Sequence, residues 1–157
     1  MTIRATEQLK RDHRALRDLF SEYLSTRGHE LQLLREIRTR LELHSQLEEE
    51  LFYPALAEVE RGLERVQAAQ RDHREVRELL DELSLLKPDD EAFDRTMRQL
   101  IQVVEAHVAL EESALFPVAR DDLGTGRLDE MGEEMELRRL TTPRPPVPPA
   151  RGSEHHP

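Results

Sequence analysis

The chain has 157 residues, no cysteine and a formal net charge of −10 at pH 7. This length is typical of one domain, the missing thiols exclude disulfides and thiolate metal sites, and the acidic charge disfavours nucleic acids and anionic membranes as partners. With 36% charged and only 4% aromatic residues, the composition favours a helical protein over a β-sandwich.

Apolar residues recur at the helical period in four segments, and one histidine stands on each apolar stripe. The predicted helices span residues 6–27, 29–59, 63–85 and 91–120. Gly28 is expected to end the first helix, and Pro54 to kink the second or end its regular part. Helices of this length with short connections predict an all-α fold, an up-down-up-down antiparallel four-helix bundle.

The C-terminal part of the chain is predicted to be a short helix followed by a tail. Leu128, Met131 and Met135 share one face of an amphipathic helix over residues 128–140, and the Pro-rich residues 141–157 are expected to be disordered. The predicted organisation is a bundle at 1–120, a short helical segment at 121–140 and a tail at 141–157. Because residues 1–10 lack a signal-peptide core and no apolar run reaches membrane-spanning length, we expect a cytoplasmic protein.

The two halves of the bundle repeat the same pattern. "RDHRALRDL" at residues 11–19 matches "RDHREVREL" at 71–79, and "HSQLEEELFYP" at 44–54 matches "HVALEESALFP" at 107–117. Each half therefore supplies one helix with a lone histidine and one helix with His-x-x-x-Glu. Side chains four residues apart lie on the same helix face, so each of these glutamates accompanies its histidine.

Six polar residues on the apolar stripes are the candidate metal ligands. They are His13, His44, Glu48, His73, His107 and Glu111. A rise of about 1.5 Å per residue brings the four histidines into one layer of an antiparallel bundle. A buried carboxylate is costly unless it is paired or binds metal, and no basic residue recurs on these faces. Four imidazoles and two carboxylates predict a site for two metal ions, for which Fe, Mn, Zn and Co are all suitable.

Other interpretations apply to single residues near this site. A lone histidine on an apolar face is usually a hydrogen-bonded core residue, but four at matching depth with two glutamates are poorly explained as independent accidents. Glu49, Glu50 and Glu112 point away from the stripes and are expected to be solvated. Tyr53 is turned away from Glu48 in an ideal helix. A kink would bring its phenol into the site as a ligand or hydrogen-bond donor; otherwise it packs as an ordinary core aromatic.

The order and spacing of the six residues resemble the hemerythrin-like, or HHE cation-binding, family in its bacterial form, His, His-x-x-x-Glu, His, His-x-x-x-Glu. The segments "LEEELFYP" and "LEESALFP" resemble that family's acidic segments ending in Phe-Pro. The resemblance implies a non-haem di-iron centre with an oxo, hydroxo or water bridge. It implies these roles: His13 and His44 on one iron, His73 and His107 on the other, and Glu48 and Glu111 between them.

The same resemblance guides the expected function. Oxygen-carrying hemerythrins have a further histidine where this chain has Arg77, and an aspartate in the last motif where this chain has Glu111, so reversible oxygen carriage is disfavoured. The bacterial form implies binding of or reaction with a small oxidant, H₂O₂, O₂ or NO, and we favour peroxide decomposition. An apolar wall is expected to restrict access to molecules of that size: Leu16, Leu41, Leu47, Val76, Val104 and Leu110.

Two functional alternatives remain open on the sequence. The protein is either an enzyme with catalase-like or other oxidoreductase activity, or a non-catalytic iron or oxygen sensor. A sensor would need a protein partner, for which the tail and the short fifth helix offer a docking element. A metal-free helical interaction module is disfavoured by the buried glutamates.

Overall fold

The computed structural model describes residues 2–142, and every regular element in that part of the chain is helical. We number five helices: α1, Ala5–Ser25; α2, which runs through Glu30–Leu47, Glu48–Phe52 and Tyr53–Ala57; α3, Leu63–Ser84; α4, which runs through Glu91–Leu110, Glu111–Leu115, Phe116–Val118 and Ala119–Leu123; and α5, Thr125–Thr141. The disorder predicted for the Pro-rich tail falls, from residue 143 onward, outside the described residues.

The predicted fold is confirmed, and the helix ends differ from prediction by a few residues. Helices α1 to α4 form the antiparallel bundle, and α5 packs against α1 and α2. Gly28 has a φ of 89° in the turn after α1, and Gly124 has a φ of 86° between α4 and α5. Because glycine adopts positive φ without strain, these two residues allow the chain to turn sharply there.

The core consists of two apolar clusters separated by a polar layer. On α1, for example, Leu9 belongs to one cluster, Leu16 belongs to the other, and the fully buried His13 lies between them. The three apolar residues predicted for the fifth helix, Leu128, Met131 and Met135, are buried in the same cluster as Leu9. Helix α5 therefore completes the core on one side of the polar layer.

The backbones of α2 and α4 widen into π-helix at corresponding positions, Glu48–Phe52 and Glu111–Leu115. Each π segment comes shortly before a proline, Pro54 or Pro117, whose ring would clash with the carbonyl four residues earlier in a regular α-helix. Regular α-helix is interrupted after Leu47 and resumes at Tyr53, so the helix is disturbed near Pro54 but continues through it to Ala57. The π segments themselves were not predicted, and they matter because each begins at a glutamate of the polar layer.

Across residues 2–142, every helix is too short or too polar to cross a lipid bilayer.

Candidate metal centre

The polar layer contains all six of the predicted ligands, and each is at most 6% exposed. Their potential ligand atoms form two groups, within each of which the atoms lie within 4.8 Å of one another. One group contains His13, His44, Glu48 and Glu111, and the other contains Glu48, His73 and His107. The four histidines thus occur in the two pairs implied by the resemblance, while their role as metal ligands stays a prediction.

Both glutamates extend between the two histidine pairs. Glu48 Oε2 lies 3.2 Å from His44 Nε2, and Glu48 Oε1 lies 3.0 Å from His73 Nε2. Glu111 Oε1 lies 3.1 Å from His13 Nε2, and Glu111 Oε2 lies 3.5 Å from His107 Nε2. Each carboxylate therefore presents one oxygen to each pair, which is the arrangement that a bridging carboxylate requires.

Each of the four histidines has its Nδ1 atom hydrogen-bonded to a carboxylate that is not among the six candidate ligands. The Nδ1–H groups donate to the neighbouring helix in every case: His44 to Asp12 at 2.8 Å, His73 to Glu49 at 2.7 Å, His107 to Asp72 at 3.0 Å and His13 to Glu112 at 2.7 Å. These contacts link α1 to α2, α2 to α3, α3 to α4 and α4 back to α1. We call these four acidic residues the carboxylate ring.

The carboxylate ring was missed in the sequence, although its members are repeated there. Asp12 and Asp72 come directly before a histidine in the two "RDH" segments, and Glu49 and Glu112 directly follow the bridging glutamates. The expectation that Glu49 and Glu112 are merely solvated is wrong, because each is only partly exposed and accepts a hydrogen bond from a buried histidine. Glu50 is exposed, as expected.

Tyr53 lies inside the polar layer. Its hydroxyl donates to Glu111 Oε2 at 2.7 Å and lies 3.1 Å from both Glu48 Oε1 and His73 Nε2. The π segment explains this position, because the Tyr53 backbone N–H bonds to the Glu48 carbonyl five residues earlier and so aligns the two side chains. The phenol is therefore a hydrogen-bond donor within the site, which is one of the two functional roles considered for it.

The second half of the chain has a phenylalanine at the position equivalent to Tyr53. The Phe116 ring is stacked on His13 with ring centroids 5.9 Å apart and an interplanar angle of 4°. The two histidine pairs otherwise match closely, with ring centroids 4.9 Å apart in each. The site is therefore nearly symmetric in its candidate ligands but has a phenol on one side only.

Burial and charge act in opposite directions on the site's pKa values. Burial alone would lower the pKa of His44, but the Glu48 charge and the hydrogen bond to Asp12 raise it well above its ordinary value. Burial also acts to lower the pKa of His107, but the Glu111 charge and a hydrogen bond to Asp72 outweigh it and raise this pKa to about 12. Without metal, protons on these histidines balance the buried carboxylates, and metal binding must release them.

Two atoms of the polar layer indicate that the donor set fits a metal. His44 Nε2 and Glu48 Oε2 are fully buried and lie 3.2 Å apart, yet neither atom makes a well-aligned hydrogen bond to any group within residues 2–142. Unsatisfied buried polar atoms are rare in proteins and need an explanation. A metal ion that both atoms could ligate provides one, and a site of imidazoles and carboxylates without thiolates suits Fe, Mn, Zn or Co.

Comparison with known proteins places this arrangement in a family. Residues 4–119 match the hemerythrin HHE cation binding domain. The chain belongs to the hemerythrin HHE cation-binding family. This membership and the two buried His/Glu groups together indicate a metal-binding protein.

Individual relatives differ in how much of their length the chain spans. A Mycobacterium tuberculosis protein, Rv2633c, described as uncharacterized, is 27% identical over 85% of this chain and 84% of its own length. A crystal structure of a hemerythrin HHE cation binding domain-containing protein from Mycobacterium kansasii, an Rv2633c homologue, matches with a TM-score of 0.78 and 25% identity over 88% of this chain and 86% of that one. A Nostoc protein named DNA nickase is 26% identical over 82% of this chain, which spans only 37% of that relative.

Proposed function

We propose that this hemerythrin-like protein holds two iron ions in the polar layer and decomposes hydrogen peroxide. Each iron would have one histidine pair, and both glutamates would bridge. His13 and His44 would bind one iron, His73 and His107 would bind the other, and Glu48 and Glu111 would lie between the two. The observation that carries it is that Glu48 belongs to both groups of potential ligand atoms, with one oxygen toward each pair.

The side chains around the site orient the candidate ligands, exclude water and supply a proton, all of which favour reaction with a small oxidant. Since every histidine donates its Nδ1–H to the carboxylate ring, the Nε2 atoms are left to face the centre. The buried aliphatic residues Leu16, Leu41 and Val76 belong to the adjoining apolar cluster and help to exclude water from one side of the layer. The Tyr53 hydroxyl lies 2.7 Å from Glu111 Oε2, to which it donates, and its proton can be presented to an incoming oxidant.

Peroxide decomposition needs no reductant beyond peroxide itself. Two molecules of hydrogen peroxide give two of water and one of dioxygen, so one molecule is reduced and the other oxidised. A bound iron pair supplies the electron storage and Lewis acidity that this exchange requires. The protein supplies the positioning of both reactants and a proton at Tyr53 Oη.

The test is metal content, followed by peroxide turnover. Wild-type protein purified from iron-supplemented cells is expected to contain two irons per chain and to release dioxygen from peroxide. Glu48→Gln is expected to lose iron and activity, because it removes a carboxylate from both ligand groups. Glu78→Gln, on an exposed position of α3, serves as the matched control and is expected to behave like wild type. A wild-type chain that stays folded and takes up no ferrous iron would refute the proposal.

A second candidate function, an iron or oxygen sensor, rests on a contact between α5 and the site. Arg139 on α5 forms a two-bond ion pair with Asp12, with N–O distances of 3.0 Å and 2.9 Å, and Asp12 accepts the Nδ1–H of His44. A change at His44 can therefore reach a helix on the outside of the bundle. Iron-loaded protein that fails to turn over peroxide, but changes hydrogen exchange in α5 on iron loss, would favour the sensor.

We infer no nucleic-acid function from the Nostoc relative. The matched region is 37% of that protein, and the formal net charge of −10 in this chain opposes association with a polyanion.

A further inference from the structure

A groove on the protein surface approaches the candidate metal centre from one side. It lies between α2 and α3, has a volume of about 280 Å³, and has His73 in its wall. The opposite edge of the His73 ring faces the centre, where its Nε2 lies 3.1 Å from the Tyr53 hydroxyl. A molecule in the groove is therefore separated from the phenol side of the site by a single imidazole ring.

An ion pair spans this groove beside His73. Arg77 on α3 donates to Glu49 Oε2 on α2 at 3.2 Å, and the same oxygen accepts the His73 Nδ1–H at 2.7 Å. The side chains of Arg77 and Glu49 are 56% and 36% exposed. Exposed ion pairs contribute little to stability, so Arg77 can move off Glu49 at little cost in free energy.

The charges on the groove wall are balanced. Every glutamate that lines it has an arginine partner: Glu42 with Arg38, Glu49 with Arg77 and Glu50 with Arg138. The remaining wall is mixed, with the hydroxyl of Ser45 and the carboxamide of Gln46 beside aliphatic residues such as Val76. A charge-balanced wall with hydrogen-bonding groups suits a small neutral molecule better than an ion of either sign.

The corresponding surface of the other half keeps an equivalent ion pair, Arg17 with Glu112 at 3.9 Å, but its wall is built differently. In the repeat, Ser45 and Gln46 correspond to Val108 and Ala109. Val108 is 3% exposed and belongs to the apolar core, and Phe116 replaces Tyr53. The polar wall and the phenol therefore occur on the same side of the site.

We propose that the α2–α3 groove is a docking site for small neutral molecules, peroxides and dioxygen among them, and that they enter the metal centre there when Arg77 leaves Glu49. This inference names the entry route for the proposed function and rests on it. The groove itself can be tested without metal, so a failure of the route is distinguishable from a failure of the metal site.

The first experiment maps the groove in metal-free protein. Dissolved dioxygen under pressure is the probe, and its paramagnetic shifts are read at assigned backbone amides. Shifts at Ser45, Gln46 and Arg77 that exceed those at Val108 and Ala109 by about threefold or more are the expected result, because a molecule concentrates where a cavity accepts it. Equal shifts on the two surfaces would overturn the docking site.

The second experiment obstructs the groove in iron-loaded protein. The chain has no cysteine, so Gln46→Cys can be labelled selectively with a bulky maleimide, and Ala109→Cys, at the exposed equivalent position, is the matched control. The probe is nitric oxide, and its association rate with reduced protein is measured by stopped flow. Labelling Gln46→Cys is expected to slow association about tenfold, since access then requires a rearrangement. Equal rates for the two labelled proteins, each with two irons, would overturn the route and leave the metal centre standing.

Discussion

Each histidine of the polar layer is held through Nδ1 and turns Nε2 toward the centre of the site. The Nδ1–H donates to the carboxylate ring, and Nε2 faces the two central glutamates. In metal sites such an outer hydrogen bond sets the tautomer and the orientation of the ring and makes the imidazole a stronger donor. The carboxylate ring therefore determines how well the six candidate ligands can act together.

Replacing a member of the carboxylate ring tests this directly. Asp72→Asn keeps an acceptor near His107 but removes the charge, and we expect ferrous affinity to fall about 10- to 100-fold. Asp81→Asn, on an exposed position of the same helix, is the control. Anaerobic calorimetric titration with ferrous iron measures the effect. Equal affinities for the two variants would mean that His107 needs no charged partner.

The phenol of Tyr53 can be removed without changing any of the six candidate ligands. Tyr53→Phe makes the first half resemble the second, where Phe116 occupies the equivalent position. We expect two irons to remain bound and the peroxide rate to fall about tenfold or more, because a positioned proton donor is lost. Tyr23→Phe is the control, since Tyr23 donates to Asp94 outside the site. Loss of a visible absorption band in Tyr53→Phe would instead assign the phenolate as an iron ligand.

The π segments show how one extra residue in a helical turn changes a site. In a regular α-helix the position five residues after Glu48 points elsewhere, whereas in the structure Tyr53 hydrogen-bonds within the site. The apolar periodicity of α2 identified the helix, and Pro54 indicated a disturbance in it. The sequence could not predict whether that disturbance would be a kink, a break or a π turn, because all three relieve the proline clash. The position of Tyr53 therefore depended on backbone geometry that no side-chain pattern encodes.

Helix α5 packs closely on the start of the chain through a glycine. A Cβ built at Gly132 lies 2.2 Å from the Ile3 carbonyl oxygen, whereas a Cβ at Gly126 on the same helix meets nothing within 4 Å. We expect Gly132→Ala to destabilise the protein, by about 1 to 3 kcal/mol as for overpacked cores. Gly126→Ala is expected to stabilise it by about 0.5 to 1 kcal/mol through helix propensity. Urea unfolding measures both, and a stabilising Gly132→Ala would show that α5 docks more loosely than described.

Both halves of the chain contribute residues to the site. The six candidate ligands could be predicted because each lies on the apolar stripe of its own helix, where a polar residue is conspicuous. The carboxylate ring could not, because Asp12 and Glu49 lie off those stripes and their histidine partners belong to neighbouring helices. Packing of the complete bundle decides which helices are neighbours and how their residues are aligned along the bundle axis. The repeated "RDH" and "EE" segments were the available signal, and each has an ordinary interpretation as a solvated face.

The protonated histidines of the metal-free bundle predict how its stability depends on pH. The folded pKa of His44 is raised well above its ordinary value and that of His107 to about 12, so between about pH 6.5 and their folded pKa values these two groups bind more protons in the folded state than in the unfolded state. Stability from these two groups is fully present below pH 6.5 and is lost as the pH rises toward their folded pKa values. Aspartates and glutamates that are ionised in both states contribute no slope between pH 7 and pH 9.

Metal binding should remove this dependence, because a ligand nitrogen cannot also carry a proton. Between pH 7 and pH 9 we expect the free energy of unfolding of metal-free protein to fall by up to about 1.4 kcal/mol per pH unit for each of the two histidines. Zinc-loaded protein, which avoids iron oxidation, is expected to change far less. Urea unfolding at the two pH values, with and without metal, measures the difference. A metal-free bundle equally stable at both would mean that the carboxylates of the polar layer, and not its histidines, hold the protons that metal displaces.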